Sequence, residues 1–235
     1  MRLVAILSVF SLVALAQDSR ESMNQGVQAY KSGNYVEAVN AFQTVLDSDP
    51  ANNAAHSFLV DTLATLAFIR YQEAQSAPDP AQKFTKLDES AALYRRLSIV
   101  DPANKLAYYF VGMIDWMKWH PVWLEARTSM GMKTDQRGPL PITAVRRELA
   151  EQYSRTIEDG IAQLQKVLTI DPQYSDAMAY INLLIRERAD LRDTPDEYRQ
   201  DIETADAWVR KSDEVTHAKS AEPRVRDNSA DSGRR

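Results

Sequence analysis

The Asp-Pro dipeptides at Asp49-Pro50, Asp101-Pro102 and Asp171-Pro172 share one repeating context, and that register constrains the fold more than any other feature. Twelve residues before each proline stands a small side chain (Ala38, Ser90, Gly160), eight before it a large one (Phe42, Tyr94, Leu164), and five before it Val45, Leu97 or Val167. These spacings place the three positions on one helical face with a notch in it. Five, eight and nine residues after each proline come Ala55, Phe58 and Leu59, then Ala107, Phe110 and Val111, then Ala177, Tyr180 and Ile181. A second apolar helix therefore begins beyond each proline, which stops the helix before it. One such pair cannot bury its apolar face alone. Stacked pairs can, with small residues admitting close approach and large ones filling the remaining space.

The first copy, Gln25-Gly26-Val27-Gln28-Ala29-Tyr30-Lys31-Ser32-Gly33-Asn34-Tyr35 followed by Ala38, Phe42 and Asp49-Pro50, closely resembles a tetratricopeptide repeat (TPR). In that likeness Gly26 and Ala38 meet at the helix crossing, Gly33 sits in the turn and Tyr35 opens the second helix. Residues 176–184 (Asp176 to Leu184) resemble terminal repeats of exported bacterial TPR proteins. The resemblance covers most of residues 20–211. It implies an all-α fold, a right-handed superhelix of antiparallel helix pairs with a concave face for partners.

The prolines are 52 and 70 residues apart, against a repeat length of about 34. The excess predicts elongated second and third repeats. The second has a long first helix from about Asn53 to Gln75, broken by Pro78-Asp79-Pro80. In the third, Leu106 to Met117 forms the first helix, His120-Pro121 ends it, and the second starts near Thr143. Residues 119–142 are left as an excursion too apolar for a free linker, with Trp119, Trp123, Leu124, Met130 and Met132. Repeats are expected at about 20–52, 53–104 and 105–174, with a final helix pair at 175–211 opened by Thr194-Pro195. Residues 213–235 carry mixed charge and few apolar side chains, the composition of a disordered tail.

At the N-terminus, Arg2 followed by an apolar run from Leu3 to Leu15 and Ala14-Leu15-Ala16 is read as a signal peptide spanning 1–16 and cut before Gln17. The run is shorter than the roughly 20 residues of a membrane span, so no stable membrane insertion is expected after cleavage. The destination is periplasmic or secreted. The formal charge of −5 becomes −6 once Arg2 is removed, which does not invite nucleic acid. The sequence contains 0 Cys, removing thiolate nucleophiles and Cys-ligated zinc.

Catalytic apparatus is not visible. His56, His120 and His217 are far apart, and none has a second histidine at metal-ligand spacing. His56 is expected to be a packed core residue. Phosphate-binding and nucleophile-elbow motifs are lacking. Asp115, Glu125, Glu148 and Glu151 are candidate acid and base groups but read better as solvated helix surface. Arg146-Arg147 and Arg186 with Arg188 read as salt-bridged faces. No catalytic, cofactor-binding or metal residue is assigned. Positions matching the TPR clamp for acidic carboxyl tails hold Met23, Val27, Phe58, Leu106 and Phe110, so that clamp is missing.

The same alignment puts Val27, Tyr30, Tyr109, Met113, Trp116 and Leu183 on or near the concave face, an apolar aromatic surface suited to a protein or peptide partner. The expected function is a non-catalytic scaffold or adaptor of the cell envelope. The alternatives are an accessory subunit of an envelope complex docking through its long helices, or a hydrolase using groove carboxylates. A competing fate for the groove is that the excursion fills it, with Trp119 and Trp123 packed on Trp116.

Overall fold

The computed structural model describes residues 4–133, 136 and 138–221, and among them there is helix, turn and connecting coil but no strand. In chain order the helices are α1 (Val4–Lys31), α2 (Tyr35–Ser48), α3 (Asn53–Ser76), α4 (Pro80–Val100), α5 (Lys105–Ser129), α6 (Ala144–Ile170), α7 (Ser175–Ala189) and α8 (Pro195–Ala221). The fold is all-α. Short turns fold consecutive helices back on one another, so that α1 packs on α2, α2 on α3 and α3 on α4, while α6 packs on α7 and α7 on α8.

The three Asp-Pro joints are built alike. Asp49, Asp101 and Asp171 end their helices with φ/ψ of −139/82, −128/86 and −134/93 degrees. Each donates its N–H to the carbonyl four residues back (Val45, Leu97, Val167) at 2.8 Å. Each carbonyl in turn accepts the N–H three residues on, from Asn52, Asn104 and Tyr174, at 3.1, 3.1 and 3.2 Å. Helix starts are satisfied by short polar side chains. Asn52 accepts from the Ala55 N–H, Asp79 from Gln82 and Thr143 from Arg146, at 3.0, 3.0 and 3.3 Å. Thr194 and Glu197 form a reciprocal capping box at the start of α8, with Pro195 at its first position.

The chain divides into two compact units, the first ending at Lys118 and the second beginning at Trp119. In unit 1, side chains eight residues before and after each joint's proline stack face to face. Phe42 lies on Phe58 at 5.1 Å and 11°, and Tyr94 on Phe110 at 4.5 Å and 5°. A Cβ on Gly26 would lie 2.6 Å from the Phe42 ring. The notch expected to bring Gly26 to Ala38 therefore admits the Phe42 ring, while Ala38 is itself fully buried. In the second pair the small residue Ser90 donates its hydroxyl to Ala67 O at 2.8 Å.

Two boundaries differ from expectation. First, α5 does not end at His120-Pro121 but runs on to Ser129. Proline removes a single donor there, and Ala126 and Arg127 beyond it are both buried. The excursion at 119–142 is thus helix as far as Ser129, leaving a connector at 130–143 of which 134, 135 and 137 lie outside the described residues. Second, α8 continues past 213 to Ala221. No Gly or Pro interrupts the sequence from Asp196 to Glu222, and Ser212 Oγ donates to Ser175 O at 3.4 Å. Residues 222–235, the rest of the expected tail, lie outside the described residues. At the N-terminus α1 is one unbroken helix from Val4 to Lys31.

Candidate partner-binding surface

In unit 1 the first helix of each pair carries most of the half-buried aromatic side chains. Tyr30 on α1 meets the edges of Tyr35 at 5.5 Å and Phe58 at 6.4 Å. Farther along α3, Phe68 stacks on Tyr71 at 6.1 Å and meets Phe110 edge-on at 6.2 Å. Tyr71 and Tyr109 also meet Phe110 edge-on, at 5.5 and 5.7 Å. Both clusters rest on the two stacks, whose inner rings Phe42 and Tyr94 are buried and fix the ring orientations. Tyr30, Phe58, Tyr71, Tyr109, Phe110 and Trp116 are half-buried. Phe68 is 43% exposed and Leu106 46%.

Of the residues expected on this surface, Val27, Tyr30, Tyr109 and Trp116 are half-buried in unit 1. Met113 shares the Tyr109 and Trp116 stripe but is only 6% exposed, so it supports the surface from below. Leu183 is half-buried on α7, in unit 2. Phe68 and Tyr71 were not legible from the repeat register, because the lengthened α3 carries them beyond it. Their spacing of three, on a helix already read as long, was the available signal.

The aromatic residues of α3 give way to a closed charge network. Arg70 pairs with Glu73 at 2.8 Å and Glu89 at 3.1 Å, and Lys86 with the same two carboxylates at 3.3 and 3.0 Å. The Arg70 hydrogen bond holds the Glu73 carboxyl below its usual range, and the bond to Glu89 raises Lys86. These groups are solvated, so the network fixes orientation more than it stabilises.

Unit 2 offers buried charge instead. Trp119 is fully buried, with its ring 5.2 Å from Tyr153. His120 Nδ1 is 2.7 Å from Glu187 Oε1, a bond that raises the imidazole pKa against the opposing effect of burial. Trp123 donates its indole N–H to Asp190 at 2.8 Å, and Arg127 donates to the same oxygen. Arg127 also donates to the connector carbonyls of Lys133 at 3.2 Å and Gly138 at 3.5 Å, and to that of Gln136. Burial pushes the Asp190 carboxyl up, with Arg127 and Trp123 pulling against it. Asp201 is held between Arg188 at 2.5 Å and Arg192 at 2.6 Å. Burial opposes its charge, but the two guanidiniums prevail and keep its pKa low. These charges are occupied in mutual pairing, as a structural network requires.

Of the arginines expected on salt-bridged faces, Arg146, Arg186 and Arg188 form ion pairs. Arg146 is buried and meets Asp193 at 2.9 Å, and Arg186 meets Asp206 at 2.5 Å. Among the carboxylates considered for chemistry, Glu125, Glu148 and Glu151 are exposed, while Asp115 is buried with Arg95 at 3.5 Å. His56 is not a core residue. It is exposed, and its Nε2 donates to Val100 O at 3.0 Å, satisfying a carbonyl at the end of α4. Among the described residues no group of three His or carboxylate side chains could hold a metal ion, and no helix is long and apolar enough to cross a membrane.

No protein-family model matches the chain, and no curated protein matches it. Solved structures of MamA are similar at low level. A crystal structure of MamA protein is 15% identical, with 89% of this chain and 98% of that chain covered at a TM-score of 0.34. MamA AMB-1 is 14% identical over 88% and 98%, also at 0.34. MamA from residue 41 to its end, from Desulfovibrio magneticus RS-1, is 13% identical over 87% and 98% at 0.30. Likeness at that level transfers neither partner nor activity to this chain.

Proposed function

We propose that this chain is a non-catalytic protein-protein interaction scaffold or adaptor of the cell envelope that binds a protein or peptide partner through the aromatic surface of unit 1. The observation that carries the reading is the set of half-exposed rings on α1, α3 and α5, braced edge to face and stacked on the buried rings of Phe42 and Tyr94. Rigid aromatic side chains offer large contact area at little cost in side-chain ordering. The repeat architecture supports the same reading, because stacked helix pairs present broad surfaces. Export to the periplasm or beyond, with the mature chain starting at Gln17, rests on the N-terminal pattern, and intact-mass measurement of the exported protein tests it.

Phe68 and Trp116 are the test positions. Phe68→Ala removes a side chain already 43% exposed, so the fold should persist. Each of Phe68→Ala and Trp116→Ala should weaken capture of native envelope partners by about 2 kcal/mol, the scale of an interface hot spot. Trp116→Ala that instead lowers the melting temperature and leaves capture intact assigns the ring to internal packing. Unchanged capture by both variants overturns the surface.

A further inference from the structure

Within unit 1, α2, α3 and α4 line an open groove of about 350 Å³ that includes none of the aromatic side chains. Val39 and Leu66, 3% and 7% exposed, line it together with half-buried Leu93. Val36, 50% exposed, and the exposed Ala92 also line it. Its polar groups differ from one another. Arg70 and Glu89 pair at 3.1 Å, inside the closed network with Glu73 and Lys86, and carry no spare charge. Arg96 lies seven residues beyond Glu89 on α4, roughly 10 Å along the helix at 1.5 Å per residue. It donates to the Gln43 amide oxygen at 2.9 Å, the Gln43 amide nitrogen donates in turn to Asp47 at 2.9 Å, and among the described residues no carboxylate pairs with Arg96 directly. The groove is therefore apolar between a neutralised pole and a cationic one.

We infer that this groove seats an apolar side chain of a partner protein whose neighbouring carboxylate pairs with Arg96. The volume lies at the low end of ligand sites, about 300–1,000 Å³, so it accepts an anchor side chain rather than a whole helix. A half-buried guanidinium gains more from a carboxylate than a solvated one does, and the forked geometry favours two parallel bonds. The distance between the poles fixes the spacing. An extended chain advances about 3.3 Å per residue, so anchor and acid stand within about three residues of each other. A basic segment is repelled by Arg96 and finds no free carboxylate at the opposite pole. The inference uses none of the residues of the aromatic surface, and the two stand or fall separately.

The test uses the full chain and fluorescently labelled hexapeptides holding two leucines, with glutamates one, two or three residues away, read by anisotropy. Matched peptides carry lysine in place of glutamate. At least one glutamate spacing should bind at least tenfold more tightly than its lysine counterpart. Arg96→Glu should reverse that preference, a charge swap that no folding defect produces. Val36→Asp should weaken the glutamate peptide, and Trp116→Ala should leave it unchanged. Absence of binding at every spacing, equal binding of both charges, or an unchanged preference in Arg96→Glu overturns the proposal. Dodecanoate that displaces the peptide and binds more tightly makes the groove a lipid site and overturns the peptide occupant.

Discussion

The two units solve the same packing problem with different side chains. Unit 1 places aromatic stacks at its joints and leaves its four-membered charge network in solvent, whereas unit 2 buries its charges. Of the buried ionic residues Asp115, Arg127, Arg146, Glu187, Asp190 and Asp201, only Asp115 belongs to unit 1. Apolar stacking stabilises by removing area from water and tolerates small displacements. Buried ion pairs add little net stability, because desolvation offsets attraction, but they penalise any arrangement that separates the partners. Unit 1 is thus held mainly by area and unit 2 by matching.

The strongest way to break that contrast is Arg127→Met, which leaves the buried Asp190 carboxylate without its cation. Denaturant unfolding should show a loss of about 3–5 kcal/mol in unit 2, and Arg127→Met with Asp190→Leu should recover much of it. Equal loss in the single and double variants would mean that Arg127 acts by bracing the connector alone. Next in size is overpacking of unit 1. Gly26→Ala drives a methyl into the fully buried Phe42 ring, and Ala38→Leu enlarges a fully buried side chain. Each should cost on the order of 1–3 kcal/mol in thermal unfolding, and an unchanged melt for a folded variant would displace the repeat register. The smallest effect concerns His120, whose bond to Glu187 raises its pKa above 6.5. The folded state holds this proton more tightly than the unfolded one. The contribution is full below about pH 6.5 and is lost as pH rises through the higher folded value. His120→Gln should flatten that decline in unit 2 and leave unit 1 unaltered.

The same contrast explains what could be read in advance. The Asp-Pro joints and the large residues eight before and eight after each proline are set by local spacing, so superposing three short segments was enough to locate them, whereas the stacking of those rings and the seating of Phe42 against Gly26 emerged only from the packed helices. The passage of α5 through Pro121 was not legible, because the bonds that tie its far end down join Trp123 and Arg127 to Asp190, 67 and 63 residues away. Local rules place a helix end at proline, and tertiary contacts override them. His56 was misplaced for a related reason. Its place in the repeat register suggested a core-facing side chain, but it turns outward to the end of α4, the partner helix of its own pair. For the candidate surface, Tyr30 and Tyr109 followed from the register, while Phe68 and Tyr71 belong to the lengthened helix, where register gives no guide.

The near identity of the Asp49 and Asp101 joints makes the segment between them a cassette. Excising residues 51–102 would join one proline turn to its equivalent, with Asp49-Pro50 leading directly into Ala103 and the start of α5. Phe42 would then face Phe110 across the new turn at the offset at which it now faces Phe58. Duplicating the segment would lengthen the array by one helix pair at the same joint. Chain length at this point is therefore a variable that the architecture leaves open, since each joint is specified within its own few residues and does not depend on how many helix pairs precede it.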